Sequence, residues 1–167
     1  MPFATRFAAL ALAGALAACT NTVDDQAGGA GAGAGGYGSG GPSDPTSIEY
    51  FRANVGDRVF FAFDSSALDP MAQDTLRRQA EWLRANPTRN AVIEGHADER
   101  GTREYNLALG ARRASAVRNF LVGEGVAADR LRSVTYGKER PEALCSDESC
   151  WSVNRRGVTV MADGPVS

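Results

Sequence analysis

Two polar residues and then an unbroken apolar run, Asp57-Arg58-Val59-Phe60-Phe61-Ala62-Phe63, predict a first strand, in which alternating side-chain directions would place Val59, Phe61 and Phe63 on one face. Asp69 then offers a helix N-cap with Pro70 at the first helical position. Ala72, Leu76, Ala80 and Leu83 follow at helical spacing, and Asn86-Pro87 stops the helix. The run from Ala91 to Gly95 predicts a short strand, apolar enough to be buried on both faces. Thr102 can cap a second helix whose apolar line is Leu107, Ala111, Ala114, Val117 and Leu121, and Gly123 and Gly125 end it. A strand from about Leu131 to Tyr136 precedes a loop containing Gly137, Pro141, Cys145 and Cys150, and Gly157 to Met161 is the last strand. Ile48, Tyr50 and Phe51 form a short packing arm ahead of the first strand. The order β-α-β-α-β-β predicts an α+β fold in two layers, with two helices on one face of a mixed four-stranded sheet.

This patterning begins only after Pro45. Residues 1–18 carry Arg6 as their one charge, then an apolar run and small residues, as an exported chain's signal peptide does. Leu16-Ala17-Ala18-Cys19 resembles the lipobox of bacterial lipoproteins, in which cleavage precedes the cysteine and its sulfur receives a diacylglycerol; the alternative is an ordinary secretory peptide followed by a chance cysteine. Thr20, rather than Asp, after Cys19 favours the outer membrane over the inner. Residues 19–45 are nearly devoid of large apolar side chains, and glycine, alanine and serine dominate from Gly28 to Gly41, so ordering them would not be offset by burial. They read as a tether whose stretched reach is about 90 Å. The folded domain occupies residues 46–167.

Charge narrows the function. The formal net charge is −2 and Lys138 is the single lysine, so a phosphate-tracking basic stripe, and with it nucleic-acid binding, is excluded. Glu94, His96, Asp98 and Glu99 could suggest a metal site or an acid/base pair, but a strand exit scatters such side chains and no second histidine exists. No glycine-flanked serine nucleophile accompanies His96. Neither a catalytic group, a cofactor nor a metal is expected. Asp98 and Arg113 remain as an anion and a fork-shaped cation, the pair needed by a ligand carrying an ammonium and a carboxylate together. Asn106, Leu109 and Arg113 form one helical stripe, with Arg112 pointing elsewhere, although on base rates a helical arginine is more often solvated or salt-bridged than a ligand contact.

Four separated motifs alter that weighting: Phe61-Ala62-Phe63-Asp64-Ser65-Ser66; Glu94 through Asn106, beginning Glu-Gly-His-Ala-Asp-Glu-Arg-Gly; Leu109-Gly110-Ala111-Arg112-Arg113-Ala114; and Asn154-Arg155-Arg156. In this order they resemble the OmpA-like peptidoglycan-binding family over about Val59 to Met161. The resemblance implies non-covalent binding of the meso-diaminopimelate of the peptidoglycan stem by Phe63, Asp64, Asp98, Asn106, Leu109 and Arg113. Asp98 would take the ammonium and Arg113 the carboxylate. Asn154, Arg155 and Arg156 match a motif whose role is partly structural, and Ala97 stands where many members have Thr.

The lipobox, the tether and Tyr136-Gly137-Lys138-Glu139-Arg140-Pro141 are similar to the family's lipoproteins of the Tol system. That implies an outer-membrane anchor on Cys19, a periplasmic domain, a TolB-type propeller protein as partner, and a role in envelope integrity and cell division. The rivals are a lipoprotein tether without a Tol partner and a wall hydrolase using Asp98 or Glu94. Cys145 and Cys150 depart from the commonest family pattern; in an exported chain an intrachain bridge between them is expected, with metal ligation the weaker alternative.

Overall fold

Local signals set the two long helices. The computed structural model describes residues 41–162 and 164, so the expected signal segment, Cys19 and the tether up to residue 40 lie outside the described residues. Helix α1 (Ile48–Tyr50) runs into a π-helical turn, Phe51–Val55, and this arm buries Phe51 against Trp82 with ring centroids 4.9 Å apart. Helix α2 (Pro70–Ala85) starts where the Asp69 carboxylate accepts from Ala72 N–H at 2.7 Å, and ends at Asn86, before Pro87. Its buried face contains Leu76, Ala80 and Leu83 and one polar residue, Gln79. The Gln79 amide is satisfied at both ends: it donates to Gly56 O and accepts from Thr159 Oγ1, each at 2.7 Å.

Helix α3 (Arg103–Gly123) is capped by Thr102, whose hydroxyl accepts from Tyr105 N–H. It closes in a Schellman turn, with Gly125 at φ 92° donating to Val122 O and Val126 N–H donating to Leu121 O. The four strands, β1 (Arg58–Phe60), β2 (Asn90–His96), β3 (Leu131–Gly137) and β4 (Arg156–Ala162), lie in the order β1-β4-β2-β3. Only β2 and β3 are parallel, so the sheet is mixed and four-stranded with the long helices packed on it, the α+β arrangement expected.

Four details depart from expectation. Strand β1 stops at Phe60, because the chain turns at Asp64, which has a positive φ of 53°; Val59 and Phe61 face the core but Phe63 is 61% exposed. Strand β2 buries Ala91 and Ile93 while Val92 and Glu94 are only half-buried, so it has one core face rather than two. On α3, Leu107 and Ala111 are half-buried, and the buried line runs instead through Asn106, Leu109, Gly110, Arg113, Ala114, Val117 and Leu121. The cause is a close backbone approach: a Cβ on Gly95 of β2 would collide with the Gly110 carbonyl, so the Gly110 side of α3 becomes the contact centre. Finally, the segment expected as a loop after β3 holds helix α4 (Glu148–Asn154), capped by Asp147, with Cys145 and Cys150 disulfide-bonded and their Cα atoms 5.5 Å apart.

Candidate ligand-binding site

The loop from β2 to α3, the first half of α3 and the turn after β1 line a cavity of about 170 Å³. Phe63, Asp64, Asp98, Asn106, Leu109 and Arg113 all line it, together with Arg100, Gly101 and Tyr105, which sequence reasoning did not single out. Arg113 is fully buried on α3. Its guanidinium is fixed by three backbone carbonyls: Nε donates to Ser65 O and Nη1 to His96 O, both at 2.8 Å, and Nη2 donates to Ala62 O at 3.1 Å. These bonds explain the turn after β1, whose carbonyls are drawn onto a cation rather than into the sheet. Burial lowers the Arg113 pKa to about 10, against an opposing pull from Asp98, so the group is still charged at neutral pH.

Asp98 is 5% exposed. Its Oδ1 accepts from the Arg100 backbone N–H at 3.1 Å and from Arg100 Nε at 3.3 Å; Oδ2 accepts from Arg100 Nη2 at 2.6 Å and Arg155 Nη1 at 3.4 Å. Burial alone would raise its pKa, but the bonds from Arg100 and then Arg155 outweigh it, and the carboxyl titrates below its usual range. The loop carrying Asp98 is held over the start of α3. Ala97 N–H donates to Gly137 O, Asn106 Nδ2 to Arg100 O, and Lys138 Nζ to the carbonyls of Glu99 and Gly101.

The rim is aromatic. The Arg100 guanidinium lies between the rings of Phe63 and Trp151, 4.1 Å from each centroid, and Tyr105 donates its hydroxyl proton to the Asp64 carboxylate. Trp151 comes from α4, as does Glu148, which pairs with Arg155. Arg155 also donates to Phe61 O, so this residue ties the end of β1, Asp98 and α4 together. Asn154 clamps the preceding segment, accepting from Glu142 and Ala143 N–H, while Arg156 donates to Arg140 O. Arg112 is exposed, beside the Tyr105 ring.

His96 and Glu94 lie outside the cavity lining. His96 is 1% exposed; burial first, then the charges of Arg156 and Arg140, push its pKa down to about 4. The Glu94 carboxylate 3.4 Å from Nε2 does not reverse this, so at neutral pH the contact joins a carboxylate to a neutral ring and is no ion pair. Among the described residues no cluster of three or more His, Cys, Asp or Glu side chains could hold a metal.

Comparison with known proteins agrees with this architecture. The chain is 54% identical over 155 residues to the peptidoglycan-associated lipoprotein of Agrobacterium fabrum, spanning 92% of this chain and 85% of that protein. To the protein of the same name from Mesorhizobium japonicum it is 59% identical over 122 residues, 73% of each chain. The crystal structure of the peptidoglycan-associated lipoprotein from Burkholderia pseudomallei superposes with a TM-score of 0.66 at 40% identity, covering 71% of this chain and all of that one. Residues 60–155, from the last residue of β1 to the Arg155 tie, match the OmpA family, and the chain belongs to that family.

Proposed function

We propose that this chain is a wall-binding lipoprotein that grips the peptide stem of peptidoglycan without covalent chemistry. The observation that carries the reading is the pairing, in one small cavity, of a buried carboxylate held ionised and a buried guanidinium held charged. Three of the five N–H groups of Arg113 are spent on carbonyls, one from each nitrogen. One N–H on each terminal nitrogen is left for the oxygens of a ligand carboxylate. With Asp98 as the ammonium acceptor, the cavity suits the free D-centre of meso-diaminopimelate, and Phe63, Asp64, Asn106 and Leu109 supply its walls. The relatives' shared name supports peptidoglycan as the polymer that is bound.

The anchor in this reading is a lipid on Cys19, holding the protein to the outer membrane with its domain facing the periplasm. A TolB-type propeller protein is the partner that would tie the chain to envelope integrity and cell division. Co-purification with that propeller separates this reading from a tether with no Tol partner. A hydrolase would need a proton donor in the cavity, whereas the Asp98 carboxyl is lowered rather than raised and Glu94 is absent from the lining. Sedimentation with diaminopimelate-type wall tests the proposal: wild type should pellet, and folded Asp98→Ala and Arg113→Ala should remain in the supernatant. Pelleting of both variants at wild-type levels would refute it.

A further inference from the structure

Asp98 has no free acceptor site. A carboxylate offers about four lone-pair positions, and those of Asp98 face the Arg100 N–H, Nε and Nη2 and Arg155 Nη1. An incoming ammonium therefore finds its seat occupied by a cation of the chain's own. The two lining guanidiniums differ in how they are held. Arg113 is bound to three backbone carbonyls, whereas among the described residues every hydrogen bond from the Arg100 guanidinium goes to Asp98, with Glu148 3.9 Å away and the Phe63 and Trp151 rings on either side. Arg100 is also the more accessible of the two, its side chain 32% exposed. It can leave without opening the backbone, and its own N–H still holds Oδ1 when it does.

We propose that Arg100 is a tethered competitor for the cationic group of the ligand: its guanidinium covers Asp98 in the free protein and swings out from between Phe63 and Trp151 when an ammonium binds. This rests on the reading of Asp98 as the ammonium acceptor. Binding is then an exchange of one cation for another, so the desolvated carboxylate is never left uncovered. Neutral ligand groups gain nothing from the exchange, which restricts the site to free amines. The apparent affinity is reduced by the fraction of molecules in which Arg100 covers the carboxylate.

The probe is the tripeptide L-alanyl-γ-D-glutamyl-meso-diaminopimelate, titrated by calorimetry. Arg100→Ala should bind it about tenfold more tightly than wild type, the gain set by one part-exposed ion pair and two cation–π contacts. Equal or weaker binding by folded Arg100→Ala overturns the competitor role. Independently of that variant, saturating tripeptide should change the emission of Trp151 in wild type, because the guanidinium leaves its face, and should leave the emission of Arg100→Ala unchanged. Calorimetric binding by wild type with no emission change also overturns it. Asp98→Ala separates the two levels of the argument: unimpaired binding there refutes the ammonium acceptor itself, whereas lost binding with no gain in Arg100→Ala refutes only the competitor.

Discussion

The carbonyl of Gly95 and the backbone of Gly110 touch: a Cβ on Gly110 would sit 2.8 Å from Gly95 O, and one on Gly95 would collide with the Gly110 carbonyl. This contact sets the depth at which α3 lies on β2, and therefore where Arg113, less than one turn further along α3, meets the carbonyl of His96.

Gly110→Ala should accordingly destabilise the domain by about 1 to 3 kcal/mol, the usual penalty for overpacking a tight contact. Urea denaturation checks this. The same variant should bind wall more weakly than its residual folded fraction accounts for, because the Arg113 seat moves with the helix.

Removing either charged partner of the proposed site should weaken binding of diaminopimelate-type ligands by about 2 to 5 kcal/mol, since the other group then faces a desolvated, unpaired charge. Arg112→Ala should lose far less, because that side chain is exposed outside the cavity lining. Arg113→Lys should behave like Arg113→Ala: one ammonium cannot serve three carbonyls and a ligand carboxylate together. Titration of Asp98→Ala, Arg113→Ala, Arg113→Lys and Arg112→Ala against tripeptide measures the differences, and comparable affinities for all four would refute the assignment.

His96 makes stability pH-dependent. Its folded pKa of about 4 lies below the usual 6.5, so between those values the unfolded chain binds more protons and stability rises with pH. The contribution is fully present above pH 6.5 and is lost as pH falls from 6.5 towards 4, to a total of about 3 kcal/mol. Asp98, also lowered, acts in the same direction but only in more acid solution. His96→Gln should flatten the slope of unfolding free energy between pH 4 and 6.5 in denaturant titrations. An unchanged slope would show that the histidine is not the group responsible.

The Cys145–Cys150 bridge closes a short loop at the start of α4, so reducing it should destabilise the domain by about 2 kcal/mol at most. Because α4 supplies Trp151 and Glu148, reduction should also loosen the Arg100 clamp, read as altered Trp151 emission. Alkylation of periplasmic material should find no free thiol at either position.

Cys19→Ala should abolish incorporation of labelled diacylglycerol while leaving a folded domain, because stable membrane attachment depends on the buried acyl chains. A labelled mutant would move the anchor elsewhere.

What could be read from the chain was what short-range chemistry decides. Asp69-Pro70, Thr102 and the Gly125 stop each act within a turn of their own position, and all three bound helices where expected. Phe63 is exposed against expectation because the apolar run continues past the end of β1; the turn at Asp64 is imposed from a distance, by Arg113 and Tyr105, and no glycine marks it. Helix α4 is too short for periodicity to reveal, although Asp147 is a visible cap. Charge and helical spacing bring out Asp98, Asn106, Leu109 and Arg113 as candidates, but their assignment to a site, with Phe63 and Asp64, comes through motif resemblance, since a helical arginine such as Arg113 gives no local sign that it will be buried. The place of Arg100 in the lining and the tie from Arg155 to Asp98 were not legible for the same reason: their partners, Trp151 and Glu148 among them, lie tens of residues away or on an element not foreseen.

The last described strand occupies an inner place in the sheet, between β1 and β2, and among the described residues β1 pairs with β4 alone. A chain delivered N-terminus first, from a ribosome or through a translocation channel, can assemble β2, β3 and the long helices while β1 waits unpaired. The sheet closes only when Arg156–Ala162 emerges and is inserted. Arg155, which reaches Phe61 O and Asp98, arrives at that same late moment. The binding cavity is therefore completed only after residues 155–162 have emerged, and a chain clipped ahead of them, lacking β4, carries no finished site.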